Sequence, residues 1–60
     1  MKLTLGQRIR MVRKQLGFNQ HDLAAVTGYS VGTIYRYEKN ERVPSVDFIA
    51  RLILNSDVNA

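Results

Sequence analysis

The chain has no cysteine, so neither a disulfide nor a thiolate metal site can hold it together. Histidine occurs once, at His21, without a cluster of carboxylates or thiols around it in sequence, and no metal site is expected. Asp22 follows His21, but neighbouring helix residues point in different directions and do not make a catalytic pair. The serines lack the histidine-plus-carboxylate setting that activates a nucleophile, and no phosphate-cradling glycine loop occurs. Neither enzymatic activity nor a cofactor is therefore expected. No apolar run approaches the roughly 18 residues of a membrane span. The opening MKLTLGQRIR also lacks the apolar stretch of a secretion signal. A cytoplasmic protein without membrane contact is the expectation. Internal repeats and low-complexity segments are missing too.

Sixty residues fit one domain, here residues 1–60, near the lower size at which chains fold without staples. Nine Lys and Arg against five Asp and Glu leave a net charge of +4, the balance expected of a protein that meets polyanions. The aliphatic and aromatic residues suffice for one small helical core.

Their spacing predicts an all-α fold. Thr4 and Gln7 have capping-box spacing, so a first helix starts at Leu5. Leu5, Ile9, Val12 and Leu16 recur on one face of it, and Gly17 ends it. Arg8, Arg10, Arg13 and Lys14 decorate the remainder, as a solvated face from which one or two could reach phosphates. Phe18 precedes the cap residue Asn19 and is placed to pack on Leu23 as a hydrophobic staple. A second helix runs over residues 20–27, with Leu23 and Val26 inward and Ala24 small enough for a close crossing. Gly28, Tyr29 and Ser30 form a turn; Gly28 suits the positive φ that often ends a helix. Ser30 caps a third helix over residues 31–39, with Ile34 and Tyr37 inward. Gly32 lies inside it at a cost of about 1 kcal/mol relative to alanine. A charged loop over residues 40–43 ends at Pro44; Asn40 is the residue type after glycine best suited to a left-handed turn. A fourth helix begins after Ser45 and carries Val46, Ile49, Leu52 and Ile53 inward. The tail SDVNA is expected to fray.

Two short helices joined by a tight turn at a steep angle form a helix-turn-helix, which places its second helix in the DNA major groove. With Ile34 and Tyr37 turned inward, Val31, Gly32, Thr33, Tyr35 and Arg36 are the outward set that would face base edges. Arg36 is the leading base reader, since its planar fork matches the two acceptors of guanine; the alternative is a phosphate contact or a solvated side chain. Val31 suits a thymine methyl, Thr33 a base or phosphate. Tyr35 is open between base, phosphate and plain helix surface. Gly32 either carries an incidental cost or lets the helix approach DNA closely. Gln20 stands in the first turn of the second helix, whose free N–H groups attract a phosphate. Ser30, Lys39, Asn40 and Arg42 flank the third helix as similar phosphate candidates, which would hold register without reading sequence.

The spacing Gln20, Ala24, Gly28, Ile34, Tyr37 resembles the helix-turn-helix of the Cro and repressor (XRE-type) family of phage and bacterial regulators. LGQRIRMVRKQLGFNQHDLA before it and YEKNERVPSVDFI after it resemble the family's first and fourth helices. The resemblance covers roughly residues 4–54. It implies a lambda-repressor-like bundle of four helices, with the chain stopping where the family's fifth helix would start. It also implies phosphate contact by Gln20 and a partly buried structural ion pair between Arg13 and Glu38. A further implication is a homodimer, at least on double-stranded DNA. Without a fifth helix, Phe48, Ile53 or Leu54 would be left partly exposed, inviting a protein partner through the fourth helix. The expected function is a sequence-specific transcriptional regulator, a repressor on a pseudo-palindromic operator. The competing readings are a protein-interaction module and an antitoxin-like adaptor on the same helices. RNA binding lacks the aromatic sheet or glycine-loop signatures that such modules use.

Overall fold

The computed structural model describes residues 2–56, apart from the side chain of Ser56. They form four helices: α1 (Leu5–Gln15), α2 (Gln20–Thr27), α3 (Val31–Glu38) and α4 (Val46–Ser56). No strand occurs among the described residues. The fraying expected of the tail concerns residues 57–60, which lie outside them; Ser56 is the last residue of α4.

Each helix starts where a polar side chain can take up free N–H groups. Thr4 Oγ1 accepts from Gln7 N at 3.1 Å while Gln7 Oε1 accepts from Thr4 N at 2.8 Å, a reciprocal capping box. Asn19 and Asp22 form a second one, at 2.8 and 3.0 Å. Ser30 Oγ accepts from Thr33 N at the head of α3, and Ser45 Oγ from Phe48 N at the head of α4. The helix ends are equally marked: Gly17, Gly28 and Asn40 have φ of 78°, 76° and 61°. At Asn40 the side chain repays the left-handed backbone. Its Oδ1 accepts from Gly6 N at 3.0 Å and its Nδ2 donates to Thr4 Oγ1 at 2.9 Å, tying the end of α3 to the start of α1.

Helix α3 packs between α1 and α2, and α4 packs on α2. The core is Ile9, Leu23, Ile34, Tyr37, Phe48 and Leu52, with Val12, Phe18, Ala24, Tyr29 and Ile49 packed against it. Phe48 is fully buried, and its ring meets Tyr37 and Tyr29 edge-on at centroid distances of 4.7 and 5.2 Å.

These contacts correct several inward assignments. Val26 is exposed and Thr27 takes its place inside, because the buried face of α2 runs through Leu23 and Thr27, four residues apart. Thr27 tolerates that burial by donating its hydroxyl to Leu23 O at 2.7 Å. Leu5 is exposed as well; the buried face of α1 is Gly6, Ile9 and Arg13. There the backbones of α1 and α3 approach so closely that a β-carbon on Gly6 would stand 2.5 Å from Tyr37 O and 2.6 Å from Glu38 O. On α4, the Phe48 ring sets the rotation. Phe48 and Leu52 point inward with Ile49 beside them, while Val46 and Ile53 are exposed. Phe48 is thus not part of the surface, whereas Ile53 and Leu54 are.

Candidate nucleic-acid interface

The turn between α2 and α3 is held from three sides. Gly28, in the left-handed conformation, donates its N–H to Ala24 O and stops α2. Arg51 Nη1 donates to Thr27 O at 2.9 Å, so a side chain of α4 takes up a carbonyl that the helix end leaves free. Tyr29 lays its ring on the core, and its hydroxyl gives its one proton to Asp47 Oδ2 at 2.7 Å, so the contact with Ser45 Oγ at 2.8 Å has Ser45 as donor. Asp47 also meets Arg51 at 3.0 Å. The Tyr29 hydrogen bond and, less so, the Arg51 charge hold the Asp47 carboxyl below its ordinary value of 3.8. On Tyr29, the Ser45 bond lowers the hydroxyl pKa, but the Asp47 bond, desolvation and the Asp47 charge together leave the net shift upward.

That scaffold fixes which face of α3 looks outward. Ile34 and Tyr37 are buried at 0 % and 4 % exposure. Val31 and Thr33 are half-buried, and Gly32, Tyr35 and Arg36 are exposed. Of the five expected base-facing residues, Gly32, Tyr35 and Arg36 are therefore fully outward, while Val31 and Thr33 lie at the edges of that face. Arg36 makes no side-chain hydrogen bond or ion pair with any described residue, so its guanidinium stands ready for an outside acceptor. Thr33 differs: its hydroxyl is joined to Ser30 Oγ at 2.8 Å. Lys39 Nζ lies 5.7 Å from the Tyr35 ring centroid, a cation–π contact that couples the two side chains.

Behind this face lies a polar network. Arg13 Nε donates to Glu38 Oε2 at 2.7 Å and Nη2 donates to Oε1 at 3.1 Å, a two-pronged pair between α1 and α3. Arg13 Nη1 donates to Phe18 O at 2.9 Å. The two charged side chains are only 10 % and 5 % exposed. Glu38 Oε1 also accepts from Gln20 Nε2 at 3.2 Å, which orients the Gln20 amide at the head of α2. Beside the network a depression of about 250 Å³ is lined by Arg10, Arg13, Gln20, Tyr35, Glu38 and Lys39.

The remaining phosphate candidates divide. Arg42 and Lys39 are exposed next to α3. Ser30 is occupied as the cap of α3, and Asn40 spends its carbonyl and one amide hydrogen on α1. Sequence reasoning missed Gly6, the Tyr29–Asp47–Arg51 cluster and the second role of Asn40. Only Asn40 carried a local signal, as a turn residue; the others depend on which elements meet.

A helix-turn-helix family model matches residues 9–54, three quarters of the chain. The chain belongs to the helix-turn-helix family of the Cro and repressor type. It is also 38 % identical over 47 residues to a Pyrococcus furiosus protein named "Putative HTH-type transcriptional regulatory protein". That match takes in 78 % of this chain but only 15 % of the relative's length. No solved structure matches. In this helix-turn-helix, α2 and α3 are the two helices of the motif, and α1 and α4 brace it from either side. No helix among the described residues is long and apolar enough to cross a membrane.

Proposed function

We propose that the chain is the sequence-specific, double-stranded-DNA-binding part of a transcriptional regulator, working at the chromosome in the cytoplasm. The observation that carries the reading is the split of α3: Ile34 and Tyr37 anchor it in the core, and the bare guanidinium of Arg36 stands outward with Tyr35 and Gly32. A helix so presented enters the major groove with its first two turns against base edges. Arg36 reads a guanine through its O6 and N7 acceptors. Val31, Gly32, Thr33 and Tyr35 complete the base-facing surface.

Phosphates on either side are met by groups already held in place. The Gln20 amide keeps a second hydrogen after donating to Glu38. Arg10 and Lys39 line the same depression, which suits the strand beside the groove. Flanking α3, Arg42 is exposed and Asn40 keeps one amide hydrogen for a phosphate, while Ser30 stays engaged as the helix cap. Two copies dock on a pseudo-palindromic operator with their α3 helices about 34 Å apart, one helical turn of DNA. Occlusion of a promoter makes the protein a repressor.

The exposure of Ile53 and Leu54 on α4 favours a second reading, a protein-interaction module or antitoxin-like adaptor. Selection from a random duplex library, followed by gel shifts at two salt concentrations, separates the two. The DNA-binding reading expects enriched half-sites and an affinity that falls with salt, with a log–log slope of about −0.9 per phosphate contacted. Undetectable binding at low salt overturns it in favour of the interaction module.

A further inference from the structure

Three of the four glycines are explained by the fold. Gly17 and Gly28 have positive φ, and at Gly6 the neighbouring backbone leaves no room for a β-carbon. Gly32 has neither reason. A β-carbon built on it meets nothing within 4 Å, and its φ is an ordinary helical one. Glycine is among the poorest helix formers, so the fold alone would be better served by almost any other residue there.

The neighbours give the gap a chemical character. Val31, before it, offers only methyl groups. Thr33, after it, has its hydroxyl joined to Ser30 Oγ, so its methyl is the part of the side chain left without a polar partner. The first turn of α3 is therefore slim and apolar, while the long polar side chains of Tyr35 and Arg36 follow one turn later. In the major groove the one apolar feature of a base edge is the thymine 5-methyl group.

We propose that the gap at Gly32, flanked by Val31 and Thr33, is a seat for the 5-methyl group of one thymine in each half-site, with the α3 backbone in contact with the base. This rests on the DNA-reading role of α3 and names what the front of that helix recognises. Gly32 is then a specificity-determining residue through the side chain that it lacks.

The test begins from a duplex selected on the protein. Each thymine of a half-site is replaced in turn by deoxyuridine, which lacks only the methyl group. One position is expected to lose affinity by about fourfold, the worth of one buried methyl, while the others change little. The variant Gly32→Ala should melt at a higher temperature than the parent yet bind the thymine duplex more weakly. On the deoxyuridine duplex its deficit should shrink, because the new β-carbon takes the space that the methyl group vacated. Equal binding of every deoxyuridine duplex by the parent overturns the seat while leaving the DNA-reading role intact. An undiminished affinity of Gly32→Ala does the same. Failure to select any duplex overturns both.

Discussion

Replacing Glu38 by alanine should be among the most damaging single changes to this chain. The carboxylate accepts two hydrogen bonds from Arg13 and one from Gln20, at 2.7, 3.1 and 3.2 Å. Its removal leaves the Arg13 guanidinium, in a residue 8 % exposed, with the Phe18 carbonyl as its remaining partner. Stranding one member of a buried pair costs about 3–5 kcal/mol. At about 0.05–0.15 kcal/mol per residue, a chain this short has a total stability of about 3–9 kcal/mol. The variant should therefore be largely unfolded if the parent lies at the lower end, and markedly weakened otherwise. Urea unfolding followed by far-UV circular dichroism suits a chain without tryptophan. With a slope near the low end of about 1–3 kcal/mol per M, a loss of about 3–5 kcal/mol should lower the midpoint by about 3–5 M.

A second variant separates a stranded charge from lost packing. Arg13→Met combined with Glu38→Leu removes both charges and fills the space with apolar atoms, an exchange that is often neutral or stabilising. It should recover most of the loss, to within about 1 kcal/mol of the parent. If Glu38→Ala costs less than about 1 kcal/mol, or the double variant is no better than the single one, the buried-charge reasoning is wrong.

Four further outcomes are expected. Gly6→Ala should lower the melting temperature despite its better helix propensity, because its β-carbon would stand 2.5 Å from a backbone carbonyl oxygen; overpacking of that kind costs about 1–3 kcal/mol, and an unchanged or higher melting point would show that α1 can shift freely. Asp47 has a lowered pKa in the fold. Its contribution is complete above the ordinary carboxylate value of 3.8 and is lost as pH falls through the lower, folded value; Asp47→Asn should be less stable near neutrality and have a flatter acid limb, and an acid limb identical to the parent's would refute this. On a selected duplex, Arg36→Ala should relax preference at one base pair, at a cost of about 1–3 kcal/mol. Gln20→Ala should weaken all sequences alike, and uniform weakening by Arg36→Ala would remove its base-reading role.

The legibility of the chain follows from how local each feature is. Caps, helix ends and the order of helices depend on residues three or four apart, and Thr4, Asn19, Ser30, Ser45, Gly17, Gly28 and Asn40 stand where sequence places them. Which side of a helix is buried depends on its neighbours, and there spacing alone misleads. An eight-residue α2 has room for only two fully buried positions, and a threonine that satisfies its own hydroxyl displaces Val26 from one of them. Periodicity on α4 could not choose between two apolar stripes; the meeting of Phe48 with Tyr29 and Tyr37 decides it. Gly6 was illegible because its reason lies across the molecule, in the carbonyls of α3.

The geometry of Glu38 bears on how such a small domain could bind without rearranging. Its carboxylate sits at the end of α3 and fixes both Arg13 on α1 and the Gln20 amide on α2. Gln20 is thereby oriented before any phosphate arrives, and its second amide hydrogen can be donated without breaking the bond to Glu38. The ordering entropy that a long polar side chain would lose on binding is already lost in the folded protein. The same bond ties the head of α2 to the end of α3, so a phosphate held by Gln20 also fixes the position of α3. If the proposed DNA-binding role holds, Arg36, two residues before Glu38, would be placed along the groove by contacts that carry no sequence information themselves. On the proposed DNA-binding reading, a shorter side chain at position 20 therefore lowers affinity for all sequences alike, whereas a change at position 36 alters what is read.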